Sequence, residues 1–348
     1  MSTSRAAGRE EDQSLCPARS AGATVVVEVN VMDVVIPPSR RVLVDCVRSA
    51  TAAPSLHNSQ PWRFRIRARR IDVYADPARR LPVLDPDGRE QLISVGAALF
   101  TLRLAIRAAG YRSDLQLFPE PGVVARVTVT HPAAASDEIA ALAEAVPHRH
   151  TNRLPFAHLA VPEEDLDLLR DAARAEGATL AVATPAGREA ILRLAGDADR
   201  MLRARPGYRA ELGRWTGDTR HDGVPVWAAG PWDALETVPI RDFAELSDAP
   251  RRRAAFEPYP TILVLATAGD ARADWVRAGQ ALQRVLLTAT WRGLATTPIG
   301  QPVEVPAVRR LLLDPSAGLA VQMVLRLGYG RLAGHTPRRP VAEVLASP

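Results

Sequence analysis

"REQLISVGAALFTLRLAIRAAG" (residues 89–110) decides the fold, because a related stretch, "RADWVRAGQALQRVLLTATWRG", follows at residues 272–293. At one constant offset, six positions are identical in the two stretches: Arg89/Arg272, Gly96/Gly279, Ala98/Ala281, Leu99/Leu282, Leu104/Leu287 and Gly110/Gly293. Both stretches end at a glycine, which suits the residue just after a helix. A chain that repeats so long a segment is predicted to contain the same folding unit twice.

Hydrophobic periodicity predicts that both stretches are helices, each with one apolar stripe. The two stripes are Leu92, Val95, Leu99, Leu102 and Ile106 in the first helix, and Trp275, Ala278, Leu282, Val285 and Ala289 in the second. A glycine inside a helix costs roughly 1 kcal/mol relative to alanine. Its presence at matching places, Gly96 and Gly279, predicts that the two helices approach each other closely.

Strand-like segments surround each predicted helix. They are "WRFRIRAR", "IDVYAD" and "VVARVTVT" around the first, and "TILVLAT" and "LAVQMVLRLGYG" around the second. The sequence therefore predicts an α+β fold that is an internally duplicated pseudo-dimer, with central helices packed between two mainly antiparallel sheets. A ligand site is expected between the two halves.

The chain divides into four predicted parts. Residues 1–36 are a tail that we do not expect to be structured, and Met32 offers a second candidate start. The first half is 37–146 and the second is 147–348. Within the second half, residues of about 203–258 are rich in Gly, Pro and Trp, and their length predicts a lid-like insertion that includes Trp215, Trp227 and Trp232.

Composition excludes several classes of function. The 348 residues include 44 arginines and no lysine, which excludes Schiff-base, pyridoxal-phosphate and P-loop lysine chemistry. The net charge of +5 is scattered rather than collected into a stripe, so no nucleic-acid partner is predicted. No apolar run is long enough for a membrane span. Two cysteines, Cys16 and Cys46, exclude a disulfide framework and indicate a cytoplasmic protein.

The segment "SLHNSQPW" (residues 55–62) places an unusual number of polar side chains in front of a strand. Pro54 and Pro61 restrict the backbone at either end. Ser55, Asn58 and Gln60 can then present hydrogen-bond donors and acceptors to a flat heteroaromatic ligand. The alternative is an elaborate turn in which these side chains only cap the backbone.

Three further segments could bind a ligand. In "PHRHTNRLPF" (147–156), Arg149, Thr151 and Arg153 alternate and suit a phosphate with an adjacent polyol; the alternative is a solvated basic connector. His148 and His150 lack nearby carboxylate or cysteine partners, so no metal site is predicted.

The other two segments follow the second repeat helix. In the tail, Arg338 and Arg339 form a possible phosphate clamp, or else a frayed basic end. The turn at Pro298, Ile299 and Gly300 offers backbone N–H groups and a small residue where a ring could approach.

In this order, the motifs resemble the FMN-dependent nitroreductase family. "SLHNSQPW" is similar to the family's Asn-Ser-Gln-Pro-Trp segment, and "RHTNR" to its Arg-x-Ser/Thr-x-Lys/Arg motif. "GLATTPIG" and "TPRRP" are similar to its flavin-face turn and its phosphate-binding tail. The ordinary member is a homodimer with two FMN sites, each built from both subunits. Here the motifs are divided between the halves, which resembles the Acg-like branch and implies a nitroreductase-like fold, one FMN site and a monomer.

The resemblance also implies roles for the residues. Ser55, Asn58 and Gln60 would contact the isoalloxazine or ribityl group. Arg149 and Thr151 would hold ribityl and phosphate, and Arg153 would stand near the N1/O2 edge. Pro298, Ile299 and Gly300 would lie along the flavin edge, with Arg338 and Arg339 on the phosphate. No protein nucleophile is needed, because FMN carries the hydride.

Two functions remain open at this point. The first is an FMN-dependent oxidoreductase that passes hydride from NAD(P)H to a nitroaromatic, quinone or similar small acceptor. The second is an FMN-binding storage or sequestration protein, in which the insertion covers the flavin and turnover is slight. No dinucleotide fingerprint is present, so the sequence does not choose between NADH and NADPH.

Overall fold

The structure is a computed structural model that describes residues 38–218, 220–245 and 252–346. The tail predicted over 1–36 lies outside these residues. The helices are α1 (Arg40–Ala50), α2 (Arg89–Ala108), α3 (Asp137–Ala145), α4 (Glu163–Ala175), α5 (Pro185–Arg203), α6 (Tyr208–Arg214), α7 (Arg272–Trp291), α8 (Gln301–Glu304), α9 (Pro306–Arg309) and α10 (Val341–Val344). The strands are β1 (Trp62–Arg67), β2 (Arg70–Ala75), β3 (Tyr111–Leu117), β4 (Ala125–Pro132), β5 (Thr179–Val182), β6 (Trp232–Asp233), β7 (Arg253–Ala254), β8 (Thr261–Thr267), β9 (Ala295–Pro298) and β10 (Ala320–Gly328).

Two four-stranded sheets with the same topology form the framework. Their strand orders are β1-β2-β4-β3 and β5-β8-β10-β9, and all neighbours in both are antiparallel. In each half the chain runs helix, first strand, second strand, long helix, third strand, fourth strand. The shared order and shared pairing confirm the α+β fold and the internal duplication predicted from the repeat.

The long helices α2 and α7 pack against each other at the centre of the molecule, as the matched glycines predict. A Cβ added to Gly96 would lie 3.0 Å from Cα of Gly279 and closer still to the backbone oxygen of Val276. Thr101 of α2 also accepts a hydrogen bond from Gln283 of α7, at 3.0 Å. Only residues without a side chain allow backbones to meet this closely.

Each apolar stripe faces its own sheet. The predicted stripe of α2 lies in the core that includes α1 and the first sheet, and the predicted stripe of α7 lies in the core that includes α4 and the second sheet. By length and composition α2 could also cross a membrane, but 78% of its apolar window is buried inside the protein. Its apolar character is therefore explained by its place between the halves.

The second half departs from the first between β5 and β8. This interval contains α5, α6 and the short parallel pair β6–β7, which have no counterpart between β1 and β2. The sequence predicts an insertion over about 203–258, and the interposed segment also includes all of α5. The insertion has its own apolar core, which joins Leu81 and Leu84 of the first half.

Two segments cross between the halves and position the site. The chain after β10 returns to the first sheet, where the backbone N–H of Ala346 donates to the carbonyl of Phe64 at 2.7 Å. The segment before α4 runs beside β9, where Thr151 bridges to Thr296. Both segments contact the first half at or beside residues 55–60, the polar turn, because Arg338 donates to Asn58 and Arg149 donates to the carbonyl of Ala52.

Candidate functional site

The polar turn is held in an unusual backbone conformation. His57, Asn58 and Gln60 have φ angles of 49°, 52° and 49°, a left-handed region that residues other than glycine adopt rarely. Such residues cost of the order of 1–3 kcal/mol each and persist where their surroundings fix them. The turn is therefore a candidate functional element rather than a simple connection.

Asn58 joins the turn to two distant segments. Its side-chain nitrogen donates to the carbonyl of Gly223 in the insertion at 2.8 Å and to that of Pro337 in the tail at 3.0 Å. Its side-chain oxygen accepts from Arg338 at 2.9 Å. Both N–H donors of the amide, and one acceptor position of its oxygen, are thus used by protein groups.

Gln60 makes the same kind of connection and is fully buried. Its side-chain nitrogen donates to the carbonyl of His221 at 2.9 Å, and its side-chain oxygen accepts from the backbone N–H of Arg339 at 2.8 Å. Ser55 closes the turn itself, because its hydroxyl accepts from the backbone N–H of Gln60 at 2.9 Å.

Arg149 and Arg338 form a pair of adjacent guanidinium groups. Both donate to the carbonyl of Ala52, at 3.1 and 3.3 Å. Arg149 is buried and Arg338 is partly buried, and the Nε of each has no hydrogen-bond partner among the described residues. Neither guanidinium group forms a salt bridge with a described residue.

Both guanidinium groups have lowered pKa values, as expected for buried cations without a neighbouring carboxylate. Burial, with the neighbouring charge of Arg338, lowers the pKa of Arg149 to about 9, and burial lowers that of Arg338 to about 10. Two guanidiniums without a carboxylate suit a bound anion such as a phosphate, which accepts fork-shaped hydrogen bonds.

A cavity of about 110 Å³ lies beyond this pair, between the halves. Five of the predicted site residues line it: Ser55, Thr151, Arg153, Pro298 and Gly300. The segment from Arg149 to Arg153 connects the arginine pair to the cavity. Four extended residues span at most roughly 13 Å, so one ligand with an anionic end and a flat end could reach both.

The insertion closes this cavity on one side. Ile240, Arg241 and Phe243 line it, and Arg241 forms a buried ion pair with Glu304 of α8. The side-chain nitrogen of Gln301 also donates to the carbonyl of Pro239 at 3.0 Å. The insertion is thereby fixed to the second half as well as to the polar turn.

Titratable groups in the cavity wall have strongly shifted pKa values. Burial and the charges of Arg241 and Arg153 lower the pKa of His57 well below its usual value, and the imidazole packs edge-on against Phe243. Neither ring nitrogen of His57 has a partner among the described residues. Burial also raises the pKa of Glu90 to about 8. Both groups are therefore neutral near pH 7.

Two predicted contact residues do not reach the site. The side chain of Ile299 packs into the core with Val303 and Val324, and its backbone N–H donates to the carbonyl of Val324. It is turned away because β9 continues the pairing with β10. Arg339 lies against Glu343, with Nε to carboxylate 3.3 Å, and has its counter-charge there.

The predicted lid residues are also placed differently. Trp215 is buried within the insertion core, and Trp227 and Trp232 are largely exposed. None of the three lines the cavity. No group of three His, Cys, Asp or Glu side chains that could hold a metal occurs in the described ranges. His150 packs instead against His335, with ring centroids 4.1 Å apart.

Sequence reasoning missed most of the titratable groups in the cavity wall: His57, Glu90, Arg241 and Glu304. One signal for Glu90 was available, because it lies in the repeat helix at a position where the second copy has Ala273. His57 stands inside the polar turn that was singled out. Arg241 has no comparable signal, since it lies in irregular chain that only folding brings to the site.

Comparison with known proteins identifies relatives over most of the chain. A family model described as "Nitroreductase family" matches residues 146–329. A Mycobacterium tuberculosis protein named as a candidate NAD(P)H nitroreductase, Rv3131, is 32% identical over 311 residues, which cover 86% of this chain and 89% of that protein. Another, acg, is 31% identical, covering 88% of this chain and 97% of that protein. A solved nitroreductase with bound FMN from Desulfitobacterium hafniense aligns with a TM-score of 0.37 at 14% identity, over 60% of this chain and 97% of that chain.

Proposed function

This chain belongs to the nitroreductase family, and we propose that it binds one FMN between its halves and transfers hydride from NAD(P)H to a small acceptor. The acceptor class that we propose is a nitroaromatic or a quinone. Nitroreductases are oxidoreductases. For this chain we propose in addition the bound FMN, the residues that contact it and the class of acceptor.

The unpaired guanidiniums carry the proposal. Arg149 and Arg338 lie side by side with no salt-bridge partner in the described part of the chain, and both have lowered pKa values. A protein keeps such charges in its interior at a considerable free-energy cost unless an anion joins them. The phosphate of FMN supplies that anion in our proposal. Arg339, which has Glu343 as partner, is left out of the phosphate contacts.

The cavity residues fit the remainder of FMN. Thr151, two residues after Arg149, would suit the ribityl hydroxyls, while Ser55, Pro298 and Gly300, which line the cavity, would face the ring. Arg153 places a cation in the wall, where it would stabilise negative charge on a reduced ring. Asn58 and Gln60 take a different role from the one predicted, because they hold the turn to the tail and the insertion.

Bound FMN would supply the hydride chemistry. The protein's own contribution is position, charge and access. The arginine pair would hold the phosphate end of the cofactor, and the polar and apolar side chains of the cavity would orient its ring. No side chain needs to act as a nucleophile in this arrangement.

Sequestration of FMN is the second candidate, and one observation favours it. The cavity of about 110 Å³ is small beside typical ligand pockets of roughly 300–1,000 Å³. Ile240, Arg241 and Phe243 of the insertion line one side of this cavity. A bound ring would therefore lie under the insertion, which is anchored at Glu304 and at Asn58.

Anaerobic visible spectroscopy separates the two candidates. FMN-loaded protein is mixed with NADPH or NADH, and bleaching of the flavin bands is followed over time. Prompt bleaching in the unmodified protein supports the oxidoreductase. Persistent bands that bleach quickly only in Phe243→Ala support sequestration, with Leu235→Ala, an exposed position of the same insertion, as the matched control. Failure of the protein to bind FMN at all would refute both.

Two further expectations accompany the proposal. The two-fold arrangement is built within one chain, so we propose a monomer, which sedimentation equilibrium would test. We also propose a cytoplasmic location, on the basis of cysteine usage, which fractionation of the source cells would test.

A further inference from the structure

Glu90 occupies the wall between two cavities. It lines the candidate ring cavity, and it also lines a second cavity of about 650 Å³ on its other side. The rim of that second cavity includes the exposed residues Asp87 and Pro306. Glu304 is the other carboxylate that lines both cavities. Two carboxyl groups, Glu90 and Glu304, therefore separate the candidate ring cavity from the second cavity.

In the cluster around Glu90 the carboxyl groups outnumber the guanidinium groups by one, so one carboxyl group is expected to stay protonated. The groups that act on Glu90 are Asp85, Arg89, Glu304 and Arg241, so the cluster holds three carboxyl groups and two guanidiniums. Arg241 is paired with Glu304. Asp85 accepts the backbone N–H groups of Glu90 and Gln91, at 3.1 and 2.8 Å, at the start of α2. Glu304 thus has a guanidinium as its partner, and Asp85 has two backbone donors that oppose the rise in its pKa caused by burial.

Glu90 is then the carboxyl group that carries the proton. Among the described residues, the hydrogen-bond partner of its carboxyl group is Arg89, at 2.6 Å, and Arg89 also donates to Gln322 and to the carbonyl of Val303. Burial and the charges of Glu304 and Asp85 outweigh the attraction of Arg89, so the pKa of Glu90 rises to about 8. A neutral acid beside a reaction cavity can donate its proton there.

We propose that Glu90 is the general acid that delivers a proton to the acceptor in the covered cavity. This inference rests on the proposed function. Two-electron reduction of a quinone adds one hydride, which comes from NAD(P)H by way of FMN, and one proton. The O–H bond of Glu90 breaks and a new O–H bond forms on the quinone oxygen. The Glu90 carboxylate then takes a proton from water in the second cavity.

The test compares two electron acceptors on FMN-loaded protein. Quinone reduction consumes a proton, whereas ferricyanide takes electrons alone. In Glu90→Gln we expect quinone reduction to slow by about a hundredfold, within the range of general acid catalysis, and ferricyanide reduction to stay unchanged. Glu90→Asp should recover part of the quinone rate. Glu144→Gln, an exposed position on α3, is the charge-matched control.

Two further measurements keep the outcomes distinct. In the unmodified protein, quinone reduction should fall as pH rises through about 8, because the donor is then deprotonated, and Glu90→Gln should lose this step. Infrared spectra of the FMN-free protein should show a protonated carboxyl band that titrates near the same pH and is missing in Glu90→Gln. Equal slowing with both acceptors, or absence of the band, overturns the role of Glu90. Failure to bind FMN overturns the proposed function, and this reaction with it.

Discussion

Replacing Arg149 by methionine should raise the free energy of unfolding of the FMN-free protein and lower the protein's affinity for FMN. The side chain is buried beside a second cation and, among the described residues, donates one hydrogen bond, to the carbonyl of Ala52. A residue that binds the cofactor phosphate is expected to destabilise the FMN-free protein and to contribute to FMN binding, because its charge has a counter-charge only when the ligand is present.

The magnitude follows from the pKa. The fall in the pKa of Arg149 from the ordinary arginine value to about 9 corresponds to about 5 kcal/mol against the charged form, at 1.36 kcal/mol per pKa unit. Arg149→Met removes that cost, and it loses one hydrogen bond worth about 1 kcal/mol. Replacing buried charges by apolar groups stabilises proteins by about 1–4 kcal/mol. We expect a gain within that range for the FMN-free protein near pH 7.

Urea unfolding of FMN-free protein measures the first effect, and fluorescence titration with FMN measures the second. A lost charged hydrogen bond of about 3 kcal/mol implies about a hundredfold weaker FMN binding. Arg112→Met, at an exposed position on β3, is the matched control and should change neither quantity. If Arg149→Met destabilises the FMN-free protein by more than about 1 kcal/mol, the charge already has its partner, and the reasoning about an anion site is wrong.

The pH dependence of the free energy of unfolding tests independently whether folding lowers the pKa of Arg149. Because the folded-state pKa of Arg149 lies below the unfolded value, the unfolded chain binds more protons above about pH 9. The stability of the FMN-free protein should therefore gain an increment as pH rises through about 9, and Arg149→Met should lack that increment. An identical pH profile in the two proteins would contradict the assignment.

Three other outcomes are expected. Gly96→Ala should destabilise the fold by about 2 kcal/mol or more in urea unfolding, because its Cβ would press on the backbone of Gly279 and Val276, outweighing a propensity gain of about 1 kcal/mol; unchanged stability would refute the close contact. Gln60→Leu should cost about 2 kcal/mol and expose the tail to proteolysis, since the backbone N–H of Arg339 loses its acceptor; an intact tail would argue against the anchor. Inorganic phosphate at a hundred times its dissociation constant should stabilise the FMN-free protein by about 2.7 kcal/mol, whereas chloride at equal ionic strength should not.

The framework could be predicted because it repeats. Matching glycines and apolar stripes recur at a fixed offset. The glycines predict that the two long helices contact each other, and the stripes predict that each helix packs against a sheet on its other side. The hairpin of β1 and β2 follows from a local pattern of the same kind, whereas β3, β5 and β9 were not among the predicted strands. Information of this sort is present within a few residues of chain, so reading the sequence recovers it.

The site could be predicted only in part, because its contacts join segments far apart in the chain. Asn58 and Gln60 lie in the singled-out turn, yet their partners at Gly223, His221 and Pro337 come from the insertion and the tail. Polar residues in a turn predict hydrogen bonding but not whether the partner is a ligand or the protein. The insertion residues at the cavity, such as Arg241, lie in irregular chain without periodicity, so no pattern marks them.

The duplicated halves explain how one site could become covered. The connection from α1 to β1 spans residues 51–61 and carries the polar turn, whereas the matching connection from α4 to β5 spans only 176–178. The second half thus lacks the room for an equivalent turn. In a dimer of identical chains, any insertion would cover both sites or neither. Within a fused chain, the segment between β5 and β8 can grow over one site alone, and its anchors to Asn58 and Glu304 are the contacts that would control access.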